Sequence, residues 1–177
     1  MATWVFGYGS LIWNPGFDYQ EKSLCSFVGW QRKFWQGSED HRGVPGAPGR
    51  VVTLVPGASC QGMAYRLAEN QQNRILSMLD FREKGGYERV QSSLLLSDGR
   101  EVEGITYIAS TDNPLFLGDA PIDEIVRQIA GSVGPSGSNL EYLLELASVF
   151  RELGIVDEHV FELEKALLIK QSTENKD

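Results

Sequence analysis

Nine consecutive residues carry types suited to gripping a small anion: Val5, Phe6, Gly7, Tyr8, Gly9, Ser10, Leu11, Ile12 and Trp13. Residues 3–6 are β-branched or aromatic and read as a strand, and Gly7 and Gly9 at its end admit backbone angles that side chains disfavour. The strand is therefore expected to stop in a turn whose N–H groups converge on a concavity, with the Ser10 hydroxyl able to donate or accept. A carboxylate fits such a turn. The dinucleotide fingerprint does not fit, because Ile12 stands where its third glycine belongs. A phosphate loop fails as well, since no Gly-Lys-Ser/Thr follows and Asn14-Pro15-Gly16 interrupts any helix. A buried first strand ending in an ordinary turn accounts for the same residues equally well.

A second candidate is Glu83. It closes a helical pattern over residues 69–83 with Ile75, Leu76 and Leu79 on one face, stopped by Gly85-Gly86. A carboxylate at a helix C-terminus meets the negative end of the backbone dipole, which disfavours its ionised form and suits a proton carrier. On spacing alone, a solvated glutamate balanced by Arg82 and Lys84 is the better description of a lone carboxylate in a charged run. The Gly- and Pro-rich stretch 36–50 excludes helix and reads as a long loop. Its Arg42 and Arg50 are candidate partners for a substrate carboxylate. His41, beside Asp40, reads as a loop-fixing hydrogen-bond partner, and His159 is too remote in sequence to suggest a nucleophilic constellation.

The elements that must position these residues follow from periodicity. Residues 24–35 read as one or two strands, and residues 50–55 and 60–67 as a hairpin around Pro56-Gly57. Residues 87–96 and 101–109 form a hairpin across an Asp98-Gly99 turn. Pro121 opens a helix with Ile122, Ile125, Val126, Ile129 and Val133 in a stripe. Ser138 and Glu141 form a capping box for a helix to about residue 153, on which Tyr142 looks into a cavity or joins an internal interface. A last helix covers about 157–170. Residues 1–170 are expected as a single domain and 171–177 as a disordered polar tail.

A chain of 177 residues, 42% of them hydrophobic, supports one real core. A net charge of −8 argues against nucleic acid or an anionic membrane as partner and leaves a small soluble substrate. Cys25 and Cys60 are far apart and lack metal-ligand spacing, so no disulfide framework or metal is expected and a reducing cytosol is the natural setting. No signal-peptide pattern or bilayer-length apolar run is present.

Four long motifs occur in order: Val-Phe-Gly-Tyr-Gly-Ser-Leu-Ile-Trp (5–13), Phe-Trp-Gln-Gly-Ser-x-Asp-His-Arg-Gly-Val-Pro-Gly-x-Pro-Gly-Arg-Val-Val-Thr-Leu (34–54), Leu-Asp-Phe-Arg-Glu-Lys-Gly-Gly-Tyr (79–87) and Gly-Pro-Ser-Gly-x-Asn-x-Glu-Tyr-Leu (134–143). Together they resemble the ChaC family of glutathione-specific γ-glutamylcyclotransferases, nearest its ChaC-like 2 branch, over about residues 3–168. The resemblance implies an α+β fold of the γ-glutamylcyclotransferase type, a mixed β-barrel with surrounding helices. It implies a cytosolic carbon–nitrogen lyase without cofactor that cleaves glutathione to 5-oxoproline and Cys-Gly. Val5 to Leu11 would bind the γ-glutamyl group and Glu83 would accept the proton, with Arg42, Arg50 and Tyr142 as further substrate-binding candidates. The sequence departs from the family at Gln71, Gln72, Asn73 and Arg74, where relatives carry more glutamates.

Overall fold

Segments rich in β-branched, aromatic and other apolar residues build five strands, and the computed structural model, which describes residues 3–174, closes them into a barrel in the order β1-β3-β2-β4-β5. These are β1 (Trp4–Gly7), β2 (Glu21–Ser38), β3 (Gly49–Arg66), β4 (Tyr87–Leu96) and β5 (Glu101–Ala109). The short β1 is buried throughout and closes the barrel, pairing antiparallel with β3 (Val5 opposite Tyr65) and parallel with β5 (Val5 opposite Ile105). The barrel is therefore mixed, as expected.

β2 and β3 are each one continuous strand of 18 residues, so residues 50–67 do not form a hairpin. The turn signal of Pro56-Gly57 is absorbed in an exposed segment against β2. Gln31 Nε2 donates to the Pro56 carbonyl at 3.0 Å, and a Cβ on Gly57 would lie 2.4 Å from the Gln31 side chain. Proline is tolerated where the ladder does not need its N–H. Gly29, with φ of +88°, lets β2 run on past a similar irregularity. The loop expected over 36–50 shrinks to residues 39–48, because both strands invade it.

The chain divides into two units. The first, residues 1–32 and 53–114, holds most of the barrel together with helix α1 (Gln72–Arg82), which is preceded by a single 3₁₀ turn, Glu69–Gln71. Its apolar face packs Ile75, Leu76 and Leu79 into a cluster with Val5, Leu11, Leu67, Ile105 and Tyr107. β4 and β5 form the expected antiparallel hairpin, Leu95 opposite Glu101 and Tyr87 opposite Ala109, with Gly99 (φ +89°) in the turn.

The second unit, residues 33–52 and 115–177, contains α2 (Ile122–Gly131), a two-residue hairpin β6 (Val133–Gly134) and β7 (Gly137–Ser138), α3 (Asn139–Leu153) and α4 (Glu158–Glu174). The three helices pack on one another through Ile125, Val126, Ile129, Leu143, Leu146, Phe150, Leu163 and Leu167, all buried. Val133, expected in the α2 stripe, lies beyond the helix and is exposed. The capping box is present: Glu141 N–H donates to Ser138 Oγ at 3.1 Å and Ser138 N–H to the Glu141 carboxylate at 3.1 Å. Gly154, left-handed at φ 69°, ends α3. α4 continues past the expected end at Lys170, and within its last turn the Ser172 and Thr173 hydroxyls donate to the Ile169 carbonyl at 2.7 and 2.9 Å. The rest of the expected disordered tail, residues 175–177, lies outside the described residues. No described helix is long and apolar enough to cross a membrane.

Candidate active site

The glycine turn is held from its carbonyl side. After β1 the chain makes one 3₁₀ turn, Ser10–Ile12. Side-chain donors take up the carbonyls on either side of it. Buried Arg32, on β2, donates from Nε to the Tyr8 carbonyl at 2.6 Å, and Tyr65, on β3, has its hydroxyl 2.8 Å from the Leu11 carbonyl. Arg82, at the end of α1, donates from one terminal nitrogen to the Asn14 and Pro15 carbonyls at 2.9 and 3.1 Å. In a trans peptide the C=O and the following N–H point in opposite directions. With the Tyr8 carbonyl fixed on Arg32, the Gly9 amide is aimed away from it, among the opening amides of a turn that has no partners of its own for them.

The two glycines of the turn do not act through left-handed backbone, since neither has positive φ. Gly7 is required by space: a Cβ there would stand 2.7 Å from Leu11 Cβ, where the turn folds back on the strand. Gly9 has φ −128° and ψ −131°. The Tyr8 ring is buried, and its hydroxyl donates to the Tyr107 carbonyl at 2.6 Å.

Glu83 is the C-terminal capping residue of α1. Its N–H closes the last turn on the Leu79 carbonyl at 2.8 Å, and its side chain is 19% exposed. The guanidinium of Arg82 brings it to the glycine turn, lying 3.6 Å from a Glu83 carboxylate oxygen through Nε and 3.0 Å from Ser10 Oγ through its other terminal nitrogen. One turn back on α1, Asp80 accepts from the Tyr107 hydroxyl at 2.6 Å and pairs with Arg89 through both oxygens. These contacts hold the Asp80 carboxyl below the usual range, Tyr107 first, and push the Tyr107 phenol up through burial and then Asp80.

The remaining candidates lie in the second unit. Arg42 donates to the Ser138 carbonyl at 3.0 Å, faces Glu141 at 3.9 Å and stacks 5.5 Å over the Tyr142 ring. Tyr142 is buried and meets Phe34 edge-on, an internal interface. Arg50 is buried, with one terminal nitrogen on the Phe34 and Gly118 carbonyls at 3.0 and 2.9 Å and Nε on Gln128 at 2.7 Å. Those contacts tie three segments together. His41 lies 2.9 Å from Ser136 Oγ, a loop-fixing contact, and His159 Nε2 accepts from the Phe34 N–H at 3.0 Å. Arg82, Arg32, Tyr65 and Asp80 had no sequence signal as supports of the turn, apart from the place of Asp80 and Arg82 in the 79–87 motif.

Residues 3–170 match the family model described as ChaC-like protein. The chain belongs to the ChaC-like family. Among ChaC-like relatives, it is 40% identical over 175 residues to the glutathione-specific γ-glutamylcyclotransferase 1 of Danio rerio, covering 94% of this chain and 89% of that one. It is 36% identical over 163 residues to the glutathione-specific γ-glutamylcyclotransferase of Escherichia coli, covering 91% and 71%. A crystal structure of the yeast γ-glutamyl cyclotransferase specific to glutathione superposes with a TM-score of 0.89 at 28% identity, covering 94% of this chain and 95% of that one. The ChaC-like fold is thus the α+β barrel of the γ-glutamylcyclotransferases.

Proposed function

We propose that this chain is a glutathione-specific γ-glutamylcyclotransferase acting in the cytosol, with Glu83 as its proton carrier and residues 5–11 as its γ-glutamyl site. One observation carries the reading: the Arg82 guanidinium has Ser10 of the glycine turn on one edge and the Glu83 carboxylate on another. An anion-binding turn and a base thereby meet in one place. The names of the curated relatives give the substrate class.

The reaction is internal to the substrate. The α-amine of the γ-glutamyl group attacks the γ-carbonyl carbon, a five-membered lactam forms, and the bond to the cysteine nitrogen breaks to release Cys-Gly. Because nucleophile and electrophile belong to one molecule, the protein's work is to hold the attacking conformer and move protons. The ammonium loses two protons in all, one before attack and one as its nitrogen becomes the lactam N–H, and the leaving nitrogen gains two to depart as the Cys-Gly ammonium. Glu83 takes and returns them in turn, so no net proton is consumed. The Ser10 hydroxyl and turn amides hold the substrate carboxylate and the developing oxyanion. For the terminal glycine carboxylate, Arg42, partly exposed beside Tyr142, is the first candidate and Arg50 the second. A rise in KM for glutathione in Arg42→Gln, with kcat held, tests that assignment.

The test of the whole reading is incubation of the protein and its Glu83→Gln variant with glutathione and, separately, with γ-glutamyl-alanine, followed by mass-spectrometric quantification of 5-oxoproline and Cys-Gly. Product from glutathione alone, and little from the variant, is expected. Turnover of γ-glutamyl-alanine would change the substrate and keep the mechanism. An inactive, folded wild type would sink the reading.

A further inference from the structure

Arg82 joins two pieces of chain that the sequence separates: residues 10–15, through Ser10 Oγ and the Asn14 and Pro15 carbonyls, and the end of α1, where its Nε faces the neighbouring Glu83 carboxylate. Its chemistry constrains its partner. A guanidinium only donates, so at 3.0 Å Ser10 Oγ must be the acceptor and its single O–H is left to donate elsewhere. Ser10 is further pinned through its backbone, whose carbonyl accepts the Asn14 N–H at 2.8 Å. We propose that Arg82 is a positioning residue that commits the Ser10 hydroxyl to donate toward a ligand carboxylate and fixes the Glu83 carboxylate in the same frame. The functional part rests on the cyclotransferase reading. The structural part, that Arg82 orders residues 8–16, stands without it.

Geometry makes the guanidinium hard to replace. Two adjacent carbonyls lie on one terminal nitrogen, the hydroxyl on the other and the carboxylate off Nε, an arrangement that matches a planar fork and not a point charge. Lysine keeps the charge and one or two of these contacts. Glutamine loses the charge and, through its own carbonyl, can accept the Ser10 proton and turn the hydroxyl around. Arg82 is only partly buried, with 23% of its side chain exposed, so its variants are expected to fold.

The test uses Arg82→Gln, Arg82→Lys, Ser10→Ala and the double variant Ser10→Ala/Arg82→Gln, with Arg74→Gln on the exposed face of α1 as control. Steady-state cleavage of glutathione and hydrogen–deuterium exchange of peptides covering residues 8–16 are measured on each. Arg82→Gln should lower kcat by about tenfold to a hundredfold, the size of effect a misplaced catalytic group produces, and also raise KM. Lysine should restore part of the loss. The KM effect should largely vanish in the Ser10→Ala background, because it is transmitted through that hydroxyl. Exchange over 8–16 should quicken in Arg82→Gln and stay unchanged in Arg74→Gln.

An active wild type with kcat and KM unaltered in Arg82→Gln would overturn the inference. A KM penalty of equal size with and without Ser10 would overturn the hydroxyl's part in it. An inactive wild type would remove the cyclotransferase reading, and exchange would then decide alone. Unchanged exchange over 8–16 in Arg82→Gln would overturn the ordering role.

Discussion

The Tyr65 hydroxyl lies 2.8 Å from the Leu11 carbonyl oxygen and 3.1 Å from that of Ile12, so one buried proton on β3 is shared by two successive carbonyls of the glycine turn. Rings from the intervening chain pack on Tyr65, Phe17 edge-on at 5.6 Å and Tyr19 at 5.0 Å. Tyr65→Phe keeps the ring and strands two carbonyls. We expect a loss of about 1–3 kcal/mol, the usual cost of leaving buried polar groups unpaired. At about 2–4 °C per kcal/mol for a chain of this size, thermal unfolding resolves that easily. Glutathione turnover should fall at temperatures where the variant is still folded, because the turn is loosened before the barrel is.

Gly7→Ala probes the same turn from the strand side. A methyl there meets Leu11 Cβ at 2.7 Å and the Leu11 carbonyl carbon at 3.3 Å, so the turn must open. Overpacking of this kind costs about 1–3 kcal/mol. Circular dichroism should show a retained fold while turnover is largely lost. Gly131→Ala, at the end of α2 where a Cβ meets nothing within 4 Å, should leave turnover intact and raise the melting temperature slightly.

The Asp80 carboxyl titrates below its ordinary value in the folded state because of the Tyr107 hydroxyl and then Arg89. A depressed folded value means that its stabilisation is fully present above the unfolded pKa, about 4, and is lost as pH falls through the folded value. Melting temperature measured between about pH 7 and pH 2.5 should therefore fall in the acid limb, and Asp80→Asn should flatten part of that fall. Glu21 and Asp98, lowered chiefly by Arg100, account for more of the same limb and should leave a residue of it in the variant. An acid limb identical in Asp80→Asn would contradict the assignment.

In the second unit, Asn139 is fully buried and acts as a strand partner for Arg50. Its Oδ1 accepts the Arg50 N–H at 2.6 Å and its Nδ2 donates to the Arg50 carbonyl at 2.7 Å. Asn139→Ala leaves both backbone groups unpaired, and we expect a loss of about 2–4 kcal/mol by denaturant titration. Asn139→Asp should be worse than an isosteric change suggests, because a carboxylate keeps the acceptor and lacks the donor.

What the sequence made legible divides along physical lines. The β4–β5 hairpin, α2 and the capped start of α3 were readable because their signals are local: an Asp-Gly turn, an apolar stripe, a Ser and a Glu three residues apart. The continuity of β3 was not, since Pro56-Gly57 is a turn signal in isolation and becomes a strand irregularity only when Gln31 is alongside. The site shows the same division. Residues 5–11 and Glu83 are candidates on glycine content, helix position and motif resemblance. Arg82 reads on paper as a charge that balances Glu83, because nothing local says that it reaches back 72 residues to Ser10. Arg50 looks available in a loop and is buried on two carbonyls and Gln128 once the strand extends through it.

β1 is four residues long, and its partners lie at Tyr65 and Ile105. As the polypeptide leaves the ribosome, the glycine turn therefore emerges before every segment that completes it. It must wait for β3 to supply Tyr65, for α1 to supply Arg82 and for β5 to close the parallel seam. Contacts of such sequence separation are slow to form, because a long loop must be closed before any of them is made. A nascent chain stalled before residue 105 should hold residues 5–11 and Glu83 without the closed barrel that orders the turn, so any ligand that stabilises this turn can act only after β5 has joined β1.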